Sequence, residues 1–410
     1  MKAKEVWDIW KKVYGSKANL DSRTQFADVL FNHMGHTPKV FTEKGTPATS
    51  EEALEQAEIQ EVRMYVKRRR FLKARDTYVE PILKEAPDGF LRPFFGLHIP
   101  RTFRGSSDHP NFQNIPIRNP YIKRMVRGMF RARPGRRLVE VDYSGIEIAI
   151  AACYHKDPSM ITYLENPDLD LHRDTAAECY GIKPRQVTKE ARYCGKSCFV
   201  FPQFYGSYFA QCAPELWKAI DSMNLKTTDG QCIKALLQDQ GICRLGSEKD
   251  DGEGTFVGHI KAVENRFWHE RFPVYTKWKR AWWKQYQYDG YFNTLSGFRC
   301  SGLMTWKDVV NYPIQGSAFH CLLWSLIRIQ QEIEARGMET LIIGQIHDSI
   351  LADVPENEMD SYCDLIEEIM LHELKREWKW IIVPLEIEIE ASPIDGTWLE
   401  IDGWDVRRSK

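Results

Sequence analysis

Apolar and polar residues alternate most regularly near the C-terminus. There Leu385, Ile387 and Ile389 interleave with Glu386, Glu388 and Glu390, the period of a half-buried strand. Two apolar runs, Leu341 to Ile346 and Ile350 to Val354, flank His347-Asp348-Ser349 and predict a strand-turn-strand hairpin. Leu138-Val139-Glu140-Val141 predicts a further short strand ending at Asp142. Longer periodic stretches predict helices. One covers residues 50–85 and opens on the capping box Thr49-Ser50-Glu51-Glu52. Others run from Ile146 to Tyr154, over 186–200 around Lys196, over the aromatic and basic stretch 258–288, and from Glu356 to about Trp378. Pro202 is expected to disturb the continuation of the Lys196 helix. The polar, glycine-rich run Gly246 to Gly254 reads as a mobile loop. No internal repeat is visible. Short strands carrying carboxylates at their ends, backed by helices, predict an α+β fold.

Composition adds little until charge is mapped. The 410 residues are 43% hydrophobic and 28% charged, enough to bury a core, which is expected to divide among subdomains in a chain of this size. No apolar run is long enough to span a bilayer, and MKAKEVWDIW has no apolar core of a signal peptide. The ten cysteines are scattered; Cys194 and Cys198 lie four apart without a second pair at metal-ligand spacing. Reduced thiols and a cytoplasmic location are expected. Net charge is −1, yet Arg118 to Arg137 holds eight Lys or Arg and no acid, and Lys67-Arg68-Arg69-Arg70-Phe71-Leu72-Lys73-Ala74-Arg75 is also basic. Such strips suit a phosphate backbone, or simply a solvated helix face.

Asp142 ends one predicted strand and Asp348 sits at a hairpin tip. Two carboxylates brought together from distant strands repel unless cations lie between them, the arrangement phosphoryl transfer uses to hold two metal ions. Taken singly, an Asp at a turn is ordinary.

The surrounding words are more specific. Asp142-Tyr143-Ser144-Gly145-Ile146-Glu147 resembles the first catalytic motif, D-Y-S-Q-I-E, of family A DNA polymerases, the DNA polymerase I family. Arg192, Lys196, Phe201, Tyr205 and Gly206 resemble its second motif, and Ile346-His347-Asp348 its third. Asn111-Phe112-Gln113-Asn114-Ile115-Pro116 is similar to N-L-Q-N-I-P, and Asp170-Leu171-His172 to D-I-H. Thr294, Gly297 and Arg299, the run Asn311 to Ala318, and Thr46 to Leu54 follow further family segments. The resemblance covers nearly the whole chain in order.

It implies a right-hand polymerase fold: an antiparallel-sheet palm (91–155 and 300–410), helical fingers (156–299) and a helical thumb (1–90). Asp142 and Asp348 would hold two Mg²⁺, with Mn²⁺ able to substitute. Lys196 would serve catalysis by supplying charge or a proton to departing pyrophosphate. Arg192, Lys196, Phe201, Tyr205, Glu147 and His172 would bind the nucleotide, Glu147 blocking a 2′-hydroxyl. Arg104, Asn111, Gln113, Asn114, Arg299, Gln315 and His347 would meet primer-template DNA, where long polar side chains suit the minor groove. Partners are then DNA and dNTPs, with no membrane.

This chain departs from the family at four places. Ser349 replaces the glutamate after His-Asp, a feature shared with single-subunit RNA polymerases. Lys196 to Phe201 is one residue longer than usual, so either the helix carries a bulge or Phe199 or Phe204 is the relevant aromatic. Gly145 and Ala149 stand in place of Gln and Arg, and Thr102-Phe103-Arg104-Gly105 follows T-G-R-L loosely. Two rivals remain: an RNA polymerase on the same palm, against which Glu147 argues, and an inactive DNA-binding accessory subunit, which would not need Asp142, Asp348 and Lys196 together. With the chain starting near the thumb, proofreading and 5′ nuclease functions are expected to be absent, on another chain, or lost from a longer protein. The purified chain is therefore expected not to degrade a mismatched primer 3′ end when dNTPs are withheld. Metal-dependent removal of that nucleotide by a nuclease-free preparation would contradict this.

Overall fold

The computed structural model of the chain describes residues 3–404, apart from 20, 39, 43, 44, 50–53, 55–59, 117 and 118. The capping box at the start of the 50–85 helix falls largely outside the described residues. The chain divides into two compact units.

One unit comprises Met1–Phe95, Ser107–Ala132 and Gly396–Glu400. Its helices include Ala3–Tyr14, Arg23–Asp28 and Gln60–Ala74, the last continuing through a wide-turn segment, Arg75–Val79, into Glu80–Glu85. Aromatic burial joins them: the Phe26 and Tyr65 rings stack 3.7 Å apart, with Trp10 tilted against both. The Trp10 indole keeps a polar partner by donating to Gln25 Oε1 at 2.8 Å. A second aromatic group forms where Trp398 stacks on Phe112 and meets the edge of Phe130, with the Arg127 guanidinium 4.0 Å from the Trp398 ring.

The other unit, Gly96–Ser106, Arg133–Asp395 and Ile401–Lys410, is built on a five-stranded antiparallel sheet. Its strands are β1 (Arg136–Tyr143), β2 (Leu341–Ile346), β3 (Ser349–Pro355), β4 (Ile387–Ala391) and β5 (Asp402–Gly403), in the order β2-β3-β1-β4-β5. Strand β3 is buried along its whole length, Ser349 and Asp353 included. The register sets Asp142 opposite Ser349 on one side and Glu388 on the other.

Helices carry the rest. Ile146–His155 starts at Gly145, whose φ of 65° is a left-handed conformation that glycine takes without strain. Ala149 on this helix is 3% exposed, which leaves no space for a long polar chain. The aromatic stretch 258–288 is two helices rather than one, Phe256–Arg266 and Pro273–Asp289, with a wide-turn segment and Phe272 between them. The stretch from Glu356 is helical to Glu377. Gly246 to Gly254 is a loop in which Ser247 and Asp250 pair and Arg244 bonds Asp250. The longest helix, Trp306–Arg336, has Pro313 inside it. Proline cannot donate to the carbonyl of residue 309; the Trp282 indole does so instead, at 3.0 Å. Among the described residues no helix is long and apolar enough to cross a membrane.

The Lys196 helix runs as Lys189–Cys194, then a π-helical segment Gly195–Val200, then Phe201–Phe204. Pro202 does not end it. The wider turn lies directly before the proline, where its ring would otherwise crowd the preceding turn. A Cβ on Gly195 would come within 2.6 Å of Ala176 Cβ and 3.0 Å of His172 O. Alanine ordinarily favours a helix interior over glycine by about 1 kcal/mol. Gly195→Ala is expected to reverse that sign and lower stability by about 1–3 kcal/mol. Denaturant titration checks this, and an unchanged or raised midpoint would show the close approach to be slack.

Candidate active site

Strand β1 delivers Asp142 to the end of the sheet, and the β2–β3 hairpin delivers Asp348 beside it. The turn between β2 and β3 is only His347 and Asp348, with Ile346 paired to Ser349. The Tyr143 amide donates to the Asp348 carbonyl at 3.3 Å, so the two aspartates sit on adjoining backbone. Burial pushes the Asp142 carboxyl up to about 7, helped by the charges of Asp348, Glu140 and Glu388 and opposed by Lys196. Burial also raises Asp348, against the pull of Arg104 and His347.

Glu147, in the first turn of the next helix, bonds the Arg104 guanidinium and the Tyr205 hydroxyl. Burial raises its pKa and Arg104 works against the shift. Glu147, Phe201, Tyr205, Asn311 and Gln315 line one cleft with Phe204 and Tyr275. Phe201 faces this cleft, with Lys196 Nζ 5.2 Å from its ring, His172 edge-on at 5.7 Å and Tyr205 at 6.4 Å. Phe199 is fully buried against Phe267, and Phe204 packs on Phe267, Trp268 and Tyr275. Arg192 is held by Asp170 at 2.5 Å. Burial works to raise Asp170, but its bonds from Arg192 and the Arg173 amide leave it below the usual carboxylate range. Burial and the nearby Lys196 and Arg192 charges lower His172 to about 4. Its Nδ1 is buried with no hydrogen-bond partner among the described residues.

Asp142, Asp348, Lys196, Arg192, Glu147, His172, Phe201, Tyr205, Arg104, Gln315 and His347 thus all belong to one unit. His347 is exposed at the hairpin tip. Arg299 lies in the small hairpin of Tyr291–Asn293 and Arg299–Ser301, its guanidinium 4.2 Å from the Tyr291 ring. Asn111, Gln113 and Asn114 belong to the other unit, where Asn111 and Asn114 line a recess with Tyr78 and Ile82. Reasoning from sequence missed Glu140, Glu388 and Gln345. The period-two pattern could have placed Glu140 on the Asp142 face; only strand pairing brings Glu388 opposite it.

The model for DNA polymerase family A matches residues 2–221 and 263–398. The chain belongs to this family. Residues 222–262, which that model does not match, hold the Ile233–Asp239 helix, the Gly246 to Gly254 loop and most of the next helix. The chain is 26% identical over 412 aligned residues to DNA polymerase I of Chloroflexus aurantiacus, covering 95% of this chain and 39% of that protein. It is 27% identical to the DNA polymerase of Bacillus phage SP01, covering 92% of this chain and 40% of that one. It thus spans about two-fifths of these curated relatives. Among solved structures, the POL domain of Pol1 from M. smegmatis, in complex with DNA primer-template and dNTP, shares the fold. The TM-score is 0.72 at 24% identity, over 97% of this chain and 64% of that one.

The raised Asp142 pKa has a measurable consequence in protein freed of metal. A carboxyl whose folded pKa exceeds its unfolded value costs stability once the unfolded chain would ionise it. The cost is absent below about pH 4, grows toward pH 7 and is complete above that. Asp142→Asn is therefore expected to stabilise the chelator-treated protein at pH 8 by about 1–3 kcal/mol, less than the full shift because the group keeps some solvent. At pH 4 it should gain little. Melting curves at both pH values check this, and an equal gain at both would exclude ionisation of Asp142 as the cause.

Proposed function

We propose that this chain is a template-directed DNA polymerase that adds dNTPs to a primer 3′-hydroxyl and releases pyrophosphate, using two Mg²⁺ ions held by Asp142 and Asp348. The observation that carries this reading is the meeting of those two aspartates at one end of the sheet, beside Lys196 and the cleft lined by Glu147. Family A DNA polymerases use divalent metals. The residues suit Mg²⁺, which commonly takes one or two carboxylates and completes its shell with water and substrate phosphate. Among the described residues no group of three or more His, Cys, Asp or Glu side chains is placed to hold an ion. When bound, the ions would activate the attacking oxygen and steady the departing one. Mn²⁺, also suited to oxygen ligands, would substitute.

The chain's own residues supply the rest. Lys196 and Arg192, one helical turn apart, receive the triphosphate, Arg192 exchanging Asp170 for phosphate. Lys196 offers charge or a proton to the pyrophosphate. His172, kept neutral and with Nδ1 unpartnered, has a ring nitrogen to offer the nucleotide. Phe201 and Tyr205 give the incoming base pair a flat surface. Arg104, Gln315, Arg299, His347, Asn111, Gln113 and Asn114 contact primer and template, the ligands present in the Pol1 complex. Residues 1–90 act as thumb, 156–299 as fingers and the remainder as palm. Ser349 leaves an RNA polymerase as the second reading. The fixing of Glu147 by Arg104 and Tyr205 weighs against it, because a held carboxylate excludes a ribose hydroxyl.

Asp142→Asn and Asp348→Asn are each expected to abolish primer extension while primer-template binding persists, since DNA is held chiefly by cationic and groove contacts. Near-normal extension by either variant would place the metal site elsewhere. Glu147→Ala is expected to lower the preference for dNTP over rNTP at least about tenfold, a loss of about 1.4 kcal/mol of discrimination. Single-nucleotide kcat/KM for both substrates measures it. An unmoved ratio would remove Glu147 as the gate, and a wild type that already prefers rNTPs would establish the second reading.

A further inference from the structure

Ser349 follows Asp348 in sequence and stands opposite Asp142 in the β1–β3 ladder. It is 3% exposed. Its Oγ lies 2.8 Å from Glu140 Oε1 and 3.0 Å from the Ile346 carbonyl, so its one proton serves two acceptors. Ile346 closes β2, and the hydroxyl therefore spans the base of the turn that presents Asp348. Glu140 lies on β1, two residues before Asp142 and on the same face.

The turn needs such support. His347 has φ 52°, a left-handed conformation that a residue with a side chain keeps when its surroundings hold it. Gln345 Nε2 donates to the His347 carbonyl at 2.6 Å, from within the hairpin. The bond from Ser349 to Glu140 carries the base of the turn across to β1. Its polarity is fixed: Glu140 can only accept when ionised, so position 349 must donate.

We infer that Ser349 and Glu140 form a positioning clasp that sets where Asp348 stands relative to Asp142. Neither residue touches the nucleotide in this role. The inference rests on the assignment of Asp142 and Asp348 as the metal-holding carboxylates. It also gives a reason for serine at this position: a carboxylate at 349 would face the Glu140 carboxylate.

The test uses the whole chain bound to primer-template. Three quantities are read: the maximal single-nucleotide rate, KM for dNTP, and Mn²⁺ affinity by electron paramagnetic resonance. Ser349→Ala and Glu140→Ala are each expected to cut the maximal rate about tenfold and weaken Mn²⁺ about tenfold. KM for dNTP should stay within about twofold. Because the two act as one unit, the double variant should be no worse than the poorer single. Ser349→Thr keeps the donor and Glu140→Gln keeps an acceptor, so both should retain rate and Mn²⁺ affinity within about twofold. Ser349→Glu should be impaired, and adding Glu140→Gln, whose amide can donate to the new carboxylate, should restore it.

Unchanged rate and Mn²⁺ affinity in both alanine variants would overturn the clasp, as would independent, additive losses. Should the alanine variants fail to fold, Ser349→Glu with and without Glu140→Gln decides, and no recovery overturns it. Asp142→Asn serves as reference. Retained Mn²⁺ binding there overturns the metal assignment and the clasp with it. Lost Mn²⁺ binding there, with normal binding in Ser349→Ala, overturns the clasp alone.

Discussion

Burial of two carboxylates that the backbone holds together sets the terms for the rest of this site. Asp142 and Asp348 do not approach by side-chain choice; strand pairing and a two-residue turn leave them nowhere else to go. Burial strips water from both, and Glu140 and Glu388 add to the charge felt by Asp142. The cations that oppose it, Lys196 at Asp142 and Arg104 at Asp348, come from elements far away in sequence.

That need explains why the Lys196 helix has the form it has. In a π-helical turn, residues five apart succeed each other much as residues four apart do in an α-helix. The extra residue between Lys196 and Phe201 is absorbed there, and Lys196 Nζ stays 5.2 Å from the Phe201 ring. Gly195 at the start of this turn lets the helix approach Ala176 and His172, which brings His172 against Phe201. An insertion that would have turned the aromatic away is accommodated by the backbone.

What could be read from the chain alone follows the range of the forces involved. Strands β1 to β4 and the Asp348 turn were legible because alternation and tight turns are local signals. The Trp306–Arg336 helix was not, because Pro313 argues against it and the indole that satisfies the stranded carbonyl lies on another helix. The partners of Asp142 were half legible: Glu140 shares its strand, whereas Glu388 arrives by pairing across more than 240 residues of sequence. The choice among Phe199, Phe201 and Phe204 was open because one extra residue shifts helical phase, and no local pattern reveals where a wide turn will absorb it. The division into two units was illegible because Gly396–Glu400 joins Ser107–Ala132 across more than 260 residues of sequence, through the stacking of Trp398 on Phe112 and backbone bonds from Ala132 to Gly396 and from Trp398 to Phe130.

Arg104 ties the two halves of the site's chemistry together. It bonds Glu147 and also draws down the pKa of Asp348, so one guanidinium answers two carboxylates. Tyr205, at the end of the Lys196 helix, bonds the same Glu147. A carboxylate with a cation on one side and a hydroxyl on the other has few orientations left. The arrangement also couples Glu147 to Asp348 through Arg104. A movement of the helix that withdraws the Tyr205 hydroxyl would free Glu147 on that side, and any shift of Arg104 that followed would be felt at Asp348 as well.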